Sequence, residues 1–239
     1  MFGKLFLLLV FLLTPLSAQA GESIVSFTFD DAPKSVVTIG LPILESADYT
    51  ATVYIATNNT KISEYMDWSD IALLAKKGWE IGAHTLTHPN LTTLSDDEIT
   101  RELETSNREL AAHGYPLFTF ASPFGAYDDR VLAIIKRYYT SHRTAWPNGV
   151  NTLTPDPYNI ISYGVTHDSK IEDINNLLSN LQNNGGWVVF QLHHLTKKGD
   201  TVIEKYGTNL LEDIVEQVHA KGMTVLTVSD AIKHLKGAE

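Results

Sequence analysis

Three short apolar runs in this chain each end in residues that can ligate a metal or carry a proton, and this pattern constrains the fold more than any other feature. Ile24–Phe29 runs into Asp30-Asp31, Trp79–Ala83 into His84, and Trp187–Leu192 into His193-His194. Apolar runs of this length between turn signals read as buried strands. Further strands are expected over 50–56, 117–121, 138–140, 159–162 and 223–228. Helical spacing is found over 35–47, where Pro42 strains it, and over 68–77, 95–113, 128–137, 171–182, 210–220 and 230–235. The third of these opens with Ser95-Asp96-Asp97-Glu98, a capping box, and Gly114 closes it. Strands separated by helices imply parallel βα units and a sheet covered on both faces. The fold class is therefore α/β, and 239 residues suit one barrel-sized domain. In such barrels the C-terminal strand ends share one mouth, where Asp30, Asp31, His84, His88, Pro123 and His193 would meet.

Two compositional facts narrow the setting. Net charge is −10, which argues against nucleic acid, whose phosphates call for a basic face. Residues 1–20 read as a signal peptide: Lys4, a Leu/Phe/Val run over 5–13, Thr14-Pro15, and the small-x-small triplet Ala18-Gln19-Ala20. The run is too short to span a bilayer. Cleavage after Ala20, an exported location in periplasm or medium, and no membrane span in the remaining chain 21–239 are expected. The chain has no Cys, so any metal site must use His and carboxylate ligands.

Each constellation has two readings. Asp30 and Asp31 at the end of an apolar strand are costly unless hydrated, paired or metal-bound. They are either a solvated strand end or a divided pair, one binding a metal and the other taking a proton. His84 and His88, four apart, share one face of a helical turn and can chelate one ion; Pro89 limits that turn. The alternative is two loop histidines. Together with Asp31 they make three protein ligands with room for water, as in catalytic sites. Ser122-Pro123-Phe124-Gly125 is either an ordinary turn or one whose N–H groups face a developing oxyanion. His193 is either a structural histidine or an acid–base group at the mouth, with Leu192 shaping the pocket floor. The other histidines, His113, His142, His167, His219 and His234, read as structural or surface residues.

Taken in this order, Thr28-Phe29-Asp30-Asp31, His84-Thr-Leu-Thr-His88, Ser122-Pro123-Phe124-Gly125 and Leu192-His193 resemble the polysaccharide deacetylase family. This family is also known as the NodB-homology domain or carbohydrate esterase family four. The resemblance runs from about Ser23 to Leu235. It implies a distorted (β/α) barrel of about seven strands and a metal-dependent hydrolase that removes N-acetyl groups from an N-acetylhexosamine glycan. It implies that Asp31, His84 and His88 hold a divalent ion, most often Zn2+, with Co2+ or Ni2+ in relatives. Asp30 would be the general base on the attacking water, and His193 the acid that protonates the leaving amine. Pro123 and Phe124 would form the oxyanion turn, and Trp146 and Leu192 would line the acetyl pocket. Two departures stand out. Ala121 replaces the family's turn Arg, for which Arg143 is the candidate substitute. Ala145 replaces an Asp that orients the acid His, for which Asp168 is the candidate. An O-acetyl glycan esterase and a non-catalytic carbohydrate binder on the same fold are the alternative functions.

Overall fold

In the computed structural model, which describes residues 21–237, strands and helices alternate through the chain. The first half comprises β1 (Ser23–Phe29), α1 (Leu41–Glu45), β2 (Thr52–Ile55), α2 (Trp68–Lys76), β3 (Glu80–Ala83), α3 (Asp96–Ala112) and β4 (Thr119–Ala121). The second comprises α4 (Asp129–Ile135), β5 (Ser141–Arg143), β6 (Tyr163–Gly164), α5 (Ile171–Asn184), β7 (Gly186–Leu192), α6 (Leu211–Ala220), β8 (Thr224–Val225) and α7 (Val228–Gly237). The expected signal segment 1–20 lies outside the described residues. Among the described residues, no helix is long and apolar enough to cross a membrane.

The sheet is parallel throughout, in the order β5-β4-β3-β2-β1-β7-β6. β1 pairs with β7 along its whole length, from Ser23↔Gly186 to Phe29↔Leu192. Its other edge is divided: Ile24 and Val25 pair with β8, whereas Thr28 and Phe29 pair with β2. The two outer strands, β5 and β6, are joined by a seam. Ile160 bridges Arg143, the Thr144 N–H donates to the Ile160 carbonyl, and the Ile160 N–H donates to the His142 carbonyl. A few residues on, Tyr163 and Gly164 pair with β7. The expected distorted barrel is thus what forms, with seven strands in the main path and a two-residue eighth.

Side chains alternate across each strand. On β1, Val25, Phe27 and Phe29 join the main core with residues of α1–α6 such as Leu44, Leu74, Leu103, Ile134, Leu178 and Ile214. The alternate residues Ser26, Thr28 and Asp30 point into the barrel. Trp187 Nε1 donates to Ser26 Oγ, and Thr28 Oγ1 donates to the Phe190 carbonyl. A second cluster of Ile24, Ile160, Trp187 and Val189 closes the foot of the barrel against Val228, Ala231 and Leu235 of α7.

Several local expectations are corrected. The helix over 35–47 breaks into a wide turn at Val36–Gly40 and then α1, with Pro42 in its first turn, where no N–H is needed. The strand expected at 138–140 forms three residues later, as β5. The strand expected over 223–228 is cut to β8 because α7 begins at Val228.

Candidate metal and catalytic site

The mouth of the barrel is built on unusual backbone. Asp31, Ala32, Thr85, His88 and Phe124 all have φ between 59° and 70°, a left-handed conformation that costs non-glycine residues energy and gathers at functional sites. Residues 84–88 are not the helical turn their spacing implied. They form a bend in which the His88 N–H donates to Thr85 Oγ1. Glu102 of α3 pins this bend by accepting hydrogen bonds from the N–H groups of Leu86 and Thr87 and from the Thr87 hydroxyl.

The two histidines nevertheless converge. Ligand atoms of Asp31, His84 and His88 lie within 4.8 Å of one another. Asp31 Oδ1 is 3.2 Å from His88 Nε2 and 3.5 Å from His84 Nε2. His84 Nδ1 lies 2.7 Å from the Ala121 carbonyl oxygen. A carbonyl only accepts, so Nδ1 carries the proton and Nε2 presents a lone pair, the tautomer that binds metals. Burial lowers the His84 pKa to about 4, although Asp30 and Asp31 pull the other way, so the ring is neutral near pH 7. Asp31 Oδ1 is buried and accepts no hydrogen bond among the described residues. Two imidazole Nε2 atoms beside a carboxylate oxygen that no proton satisfies suit a cation, and the donor set suits a divalent one. Asp31, His84 and His88 therefore fit a metal.

Asp30 is differently placed. It is 2 % exposed, and Arg143 Nη2 donates to both of its oxygens at 2.5 and 2.6 Å. Gln191 Nε2 donates to Oδ2 at 2.7 Å, and His193 Nε2 lies 3.9 Å from the same oxygen. Burial, the largest single influence, would raise the Asp30 pKa; the charge of Arg143, with His84, His193 and the Gln191 hydrogen bond, together outweigh it and hold the carboxyl well below the usual range. Arg143 is the β5 neighbour of Ala121 on β4, so the guanidinium reaches Asp30 from the strand beside the one expected from the family pattern.

The cleft has a volume of about 540 Å³ and is lined by Asp30, Asp31, His84, His88 and His193, with Phe124, Trp146, Tyr163 and Tyr206 as its aromatic walls. Trp146 and Phe124 are 66 % and 63 % exposed, which leaves their faces free for a ligand. Phe124 sits edge-on to His88, 4.7 Å between ring centres. Its N–H belongs to the first turn of the short 3-10 segment Pro123–Gly125, where helical N–H groups have no partner of their own. Gly125 is required in that turn: its φ is 65°, and a Cβ would come within 2.5 Å of the Ala145 Cβ.

Two expected wall residues lie elsewhere. Leu192 is fully buried on the outer face of the sheet, packed with the main core, because strand alternation turns Gln191 and His193 inward instead. Pro123 is also buried and shapes the turn without lining the cleft. Asp168 does not support His193: it is 84 % exposed and pairs with His167 at 3.2 Å. Sequence reasoning missed Glu102, Gln191, Tyr163 and Tyr206. Gln191 carried a readable signal, two residues before His193 on the same strand face; the others gave none.

A family model described as polysaccharide deacetylase matches residues 17–141. The chain belongs to the polysaccharide deacetylase family. Chitin deacetylase 1 of Saccharomyces cerevisiae is 33 % identical over 116 residues, 47 % of this chain and 36 % of that protein. Chitin deacetylase 3 of Cryptococcus neoformans is 25 % identical over 165 residues, 65 % of this chain and 39 % of that one. The matched region thus spans well under half the length of either relative. The Xyl-CE4 domain of a multidomain xylanase from the hindgut metagenome of Trinervitermes trinervoides superposes with a TM-score of 0.60 at 21 % identity, covering 91 % of this chain and 92 % of that domain. The family's barrel is thereby shared along nearly all the described residues.

Proposed function

We propose that this chain hydrolyses the acetamide of N-acetylhexosamine units in a glycan, releasing acetate and a free amine. The observation that carries the reading is the division of labour between neighbouring acids: Asp30 is held by Arg143 and Gln191 with Oδ1 accepting from one donor only, whereas Asp31 turns an unsatisfied oxygen to the Nε2 atoms of two histidines. Asp31, His84 and His88 would hold a divalent cation, with Zn2+ the first choice for two imidazoles and a carboxylate. When bound, that cation supplies Lewis acidity, polarising the acetyl carbonyl and acidifying water enough for a weak base to act.

The protein's own groups do the rest. Asp30, kept ionised by Arg143, accepts the proton of the attacking water. The Phe124 N–H donates to the carbonyl oxygen as negative charge builds on it. His193, on the far side of Asp30, gives a proton to the departing sugar amine, which is a poor leaving group without it. Trp146, Tyr163 and Tyr206 present aromatic faces to sugar rings. Export belongs to the same reading, because a polymeric glycan lies outside the cytoplasm; mass spectrometry of the mature N-terminus tests cleavage after Ala20.

Acetate release by the zinc-loaded protein, from N-acetylglucosamine oligomers and from acetyl-xylan, tests the function. Release from the first set supports N-deacetylation. Release from acetyl-xylan alone makes the chain an O-acetyl esterase, and none from either, with tight glycan binding, makes it a binder.

A further inference from the structure

The guanidinium of Arg143 is held unevenly. Nη2 makes both contacts to Asp30, Nη1 reaches Ser162 Oγ only at 3.4 Å, and Nε is buried with no partner among the described residues. Two contacts from one nitrogen fix where the group ends but leave its plane free to pivot. One further neighbour defines that plane: the guanidinium carbon lies over the Tyr54 ring, 5.0 Å from its centre. Tyr54 is fully buried, and its hydroxyl lies near the Thr119 side chain, whose own hydroxyl is committed as a donor to Glu80, without a well-formed hydrogen bond between them. The ring, not the hydroxyl, therefore places this residue. Beneath it is Gly82, where a Cβ would come within 2.6 Å of two ring carbons and 2.9 Å of Thr119 Oγ1. A glycine inside a strand often marks such a close approach. Backbone of β3, aromatic ring, guanidinium and carboxylate follow one another across the lumen, and Tyr54 itself is not a cleft-lining residue.

We propose that Tyr54 is a positioning residue whose ring, seated on the bare backbone of Gly82, sets the plane of the Arg143 guanidinium and through it the orientation of Asp30. A buried cation over an aromatic face is attracted to it, and small misplacements of a reacting group are costly in rate. The kinetic consequence rests on the deacetylase reading; the packing claim does not.

The test compares Tyr54→Phe, Tyr54→Leu and Gly82→Ala in the zinc-loaded chain. Tyr54→Phe keeps kcat within about twofold. Tyr54→Leu lowers kcat about ten- to a hundredfold with KM within about twofold, since the ring touches no substrate. In 15N spectra, Arg143 shows separate, slowly exchanging Nη signals in the wild type and in Tyr54→Phe, and these merge in Tyr54→Leu. Wild-type kcat and wild-type Nη signals in Tyr54→Leu overturn the proposal, as does a Tyr54→Phe variant as impaired as Tyr54→Leu. If Tyr54→Leu does not fold, Gly82→Ala carries the same expectation, because it keeps the ring but displaces it, and wild-type behaviour there is equally decisive against the idea. A wild type that releases acetate from no glycan sinks the deacetylase reading, and the Nη signals then decide alone on Tyr54.

Discussion

The two ends of the barrel both hold acids, and they treat them in opposite ways. At the foot, Glu80 is fully engaged: Thr119 Oγ1 donates to Oε1, while Thr52 Oγ1 and the Ser229 N–H donate to Oε2, tying β2, β3, β4 and α7 together. At the mouth, Asp31 is left with an oxygen that nothing among the described residues satisfies, on a backbone that itself carries strain. Folding alone accounts for the first arrangement. The second costs stability, and unsatisfied buried groups in a folded protein call for a functional account. Carboxylates in similar surroundings are thus told apart by which donors reach them.

The largest expected effect comes from breaking the mouth. Asp30→Asn removes the group that takes the proton and should lower kcat by at least about a thousandfold with the metal retained. It also strands the Arg143 charge, so a stability loss of about 3 kcal/mol should appear in denaturant titration. A variant with near-normal turnover means that Asp30 is not the base. Next, His88→Ala should lose the metal, read by elemental analysis of the purified protein, with activity falling in proportion. The mirror experiment is at the foot: Glu80→Ala leaves three donors without an acceptor and should cost about 3 kcal/mol while leaving kcat per folded molecule unchanged. A kcat loss there would erase the contrast between the two ends.

A smaller effect is tied to pH. His142, hydrogen-bonded to Ser122 Oγ and the Tyr158 carbonyl, supports the Phe124 turn from behind. Burial lowers its pKa to about 4 from 6.5, although the Tyr158 carbonyl works against the shift. The unfolded chain therefore binds this proton first. The stability contributed by neutral His142 is fully present above pH 6.5 and is lost as the pH falls towards 4. It should amount to about 3 kcal/mol, and His142→Gln should flatten the stability curve in that window. Smallest of all, Asp31→Asn should leave the metal-free protein's melting temperature nearly unchanged, since no hydrogen bond to Oδ1 is lost and Asn tolerates the left-handed backbone. It should also abolish metal binding. A large destabilisation without metal would show that Asp31 is structural after all.

Much of this was legible in the sequence because long apolar strands advertise themselves. β1 and β7 place Asp30, Asp31 and His193 correctly, and the Ser95–Glu98 box locates α3 to within a residue. What escaped reading has physical causes. β5 is Ser-His-Arg, polar because Ser141 and Arg143 face the lumen and His142 is committed to Ser122, so no hydrophobic period marks it. Ser26, Thr28, Thr52 and Thr119 interleave with large apolar residues. The sequence reads them as part of a buried strand, whereas they form the polar inner wall. The pairing of His84 with His88 was anticipated, but the bend depends on Glu102, which lies on α3, fourteen residues of chain beyond His88. The replacement of the turn Arg was traceable only as a neighbour-strand guess, which the Ala121↔Arg143 register explains.

The seam between β5 and β6 has a consequence for motion. Ile160 joins the edges of the sheet by single rungs, whereas β1 is flanked along most of its length on both sides. Brief breathing of the barrel should start at that stitch, well before the central strand loosens. Arg143 sits on the stitched side and Asp30 extends the central strand, so an opening that carried β5 outwards would part the two. Deuterium uptake at the amides of Thr144 and Ile160 would then count how often a molecule falls out of its working state.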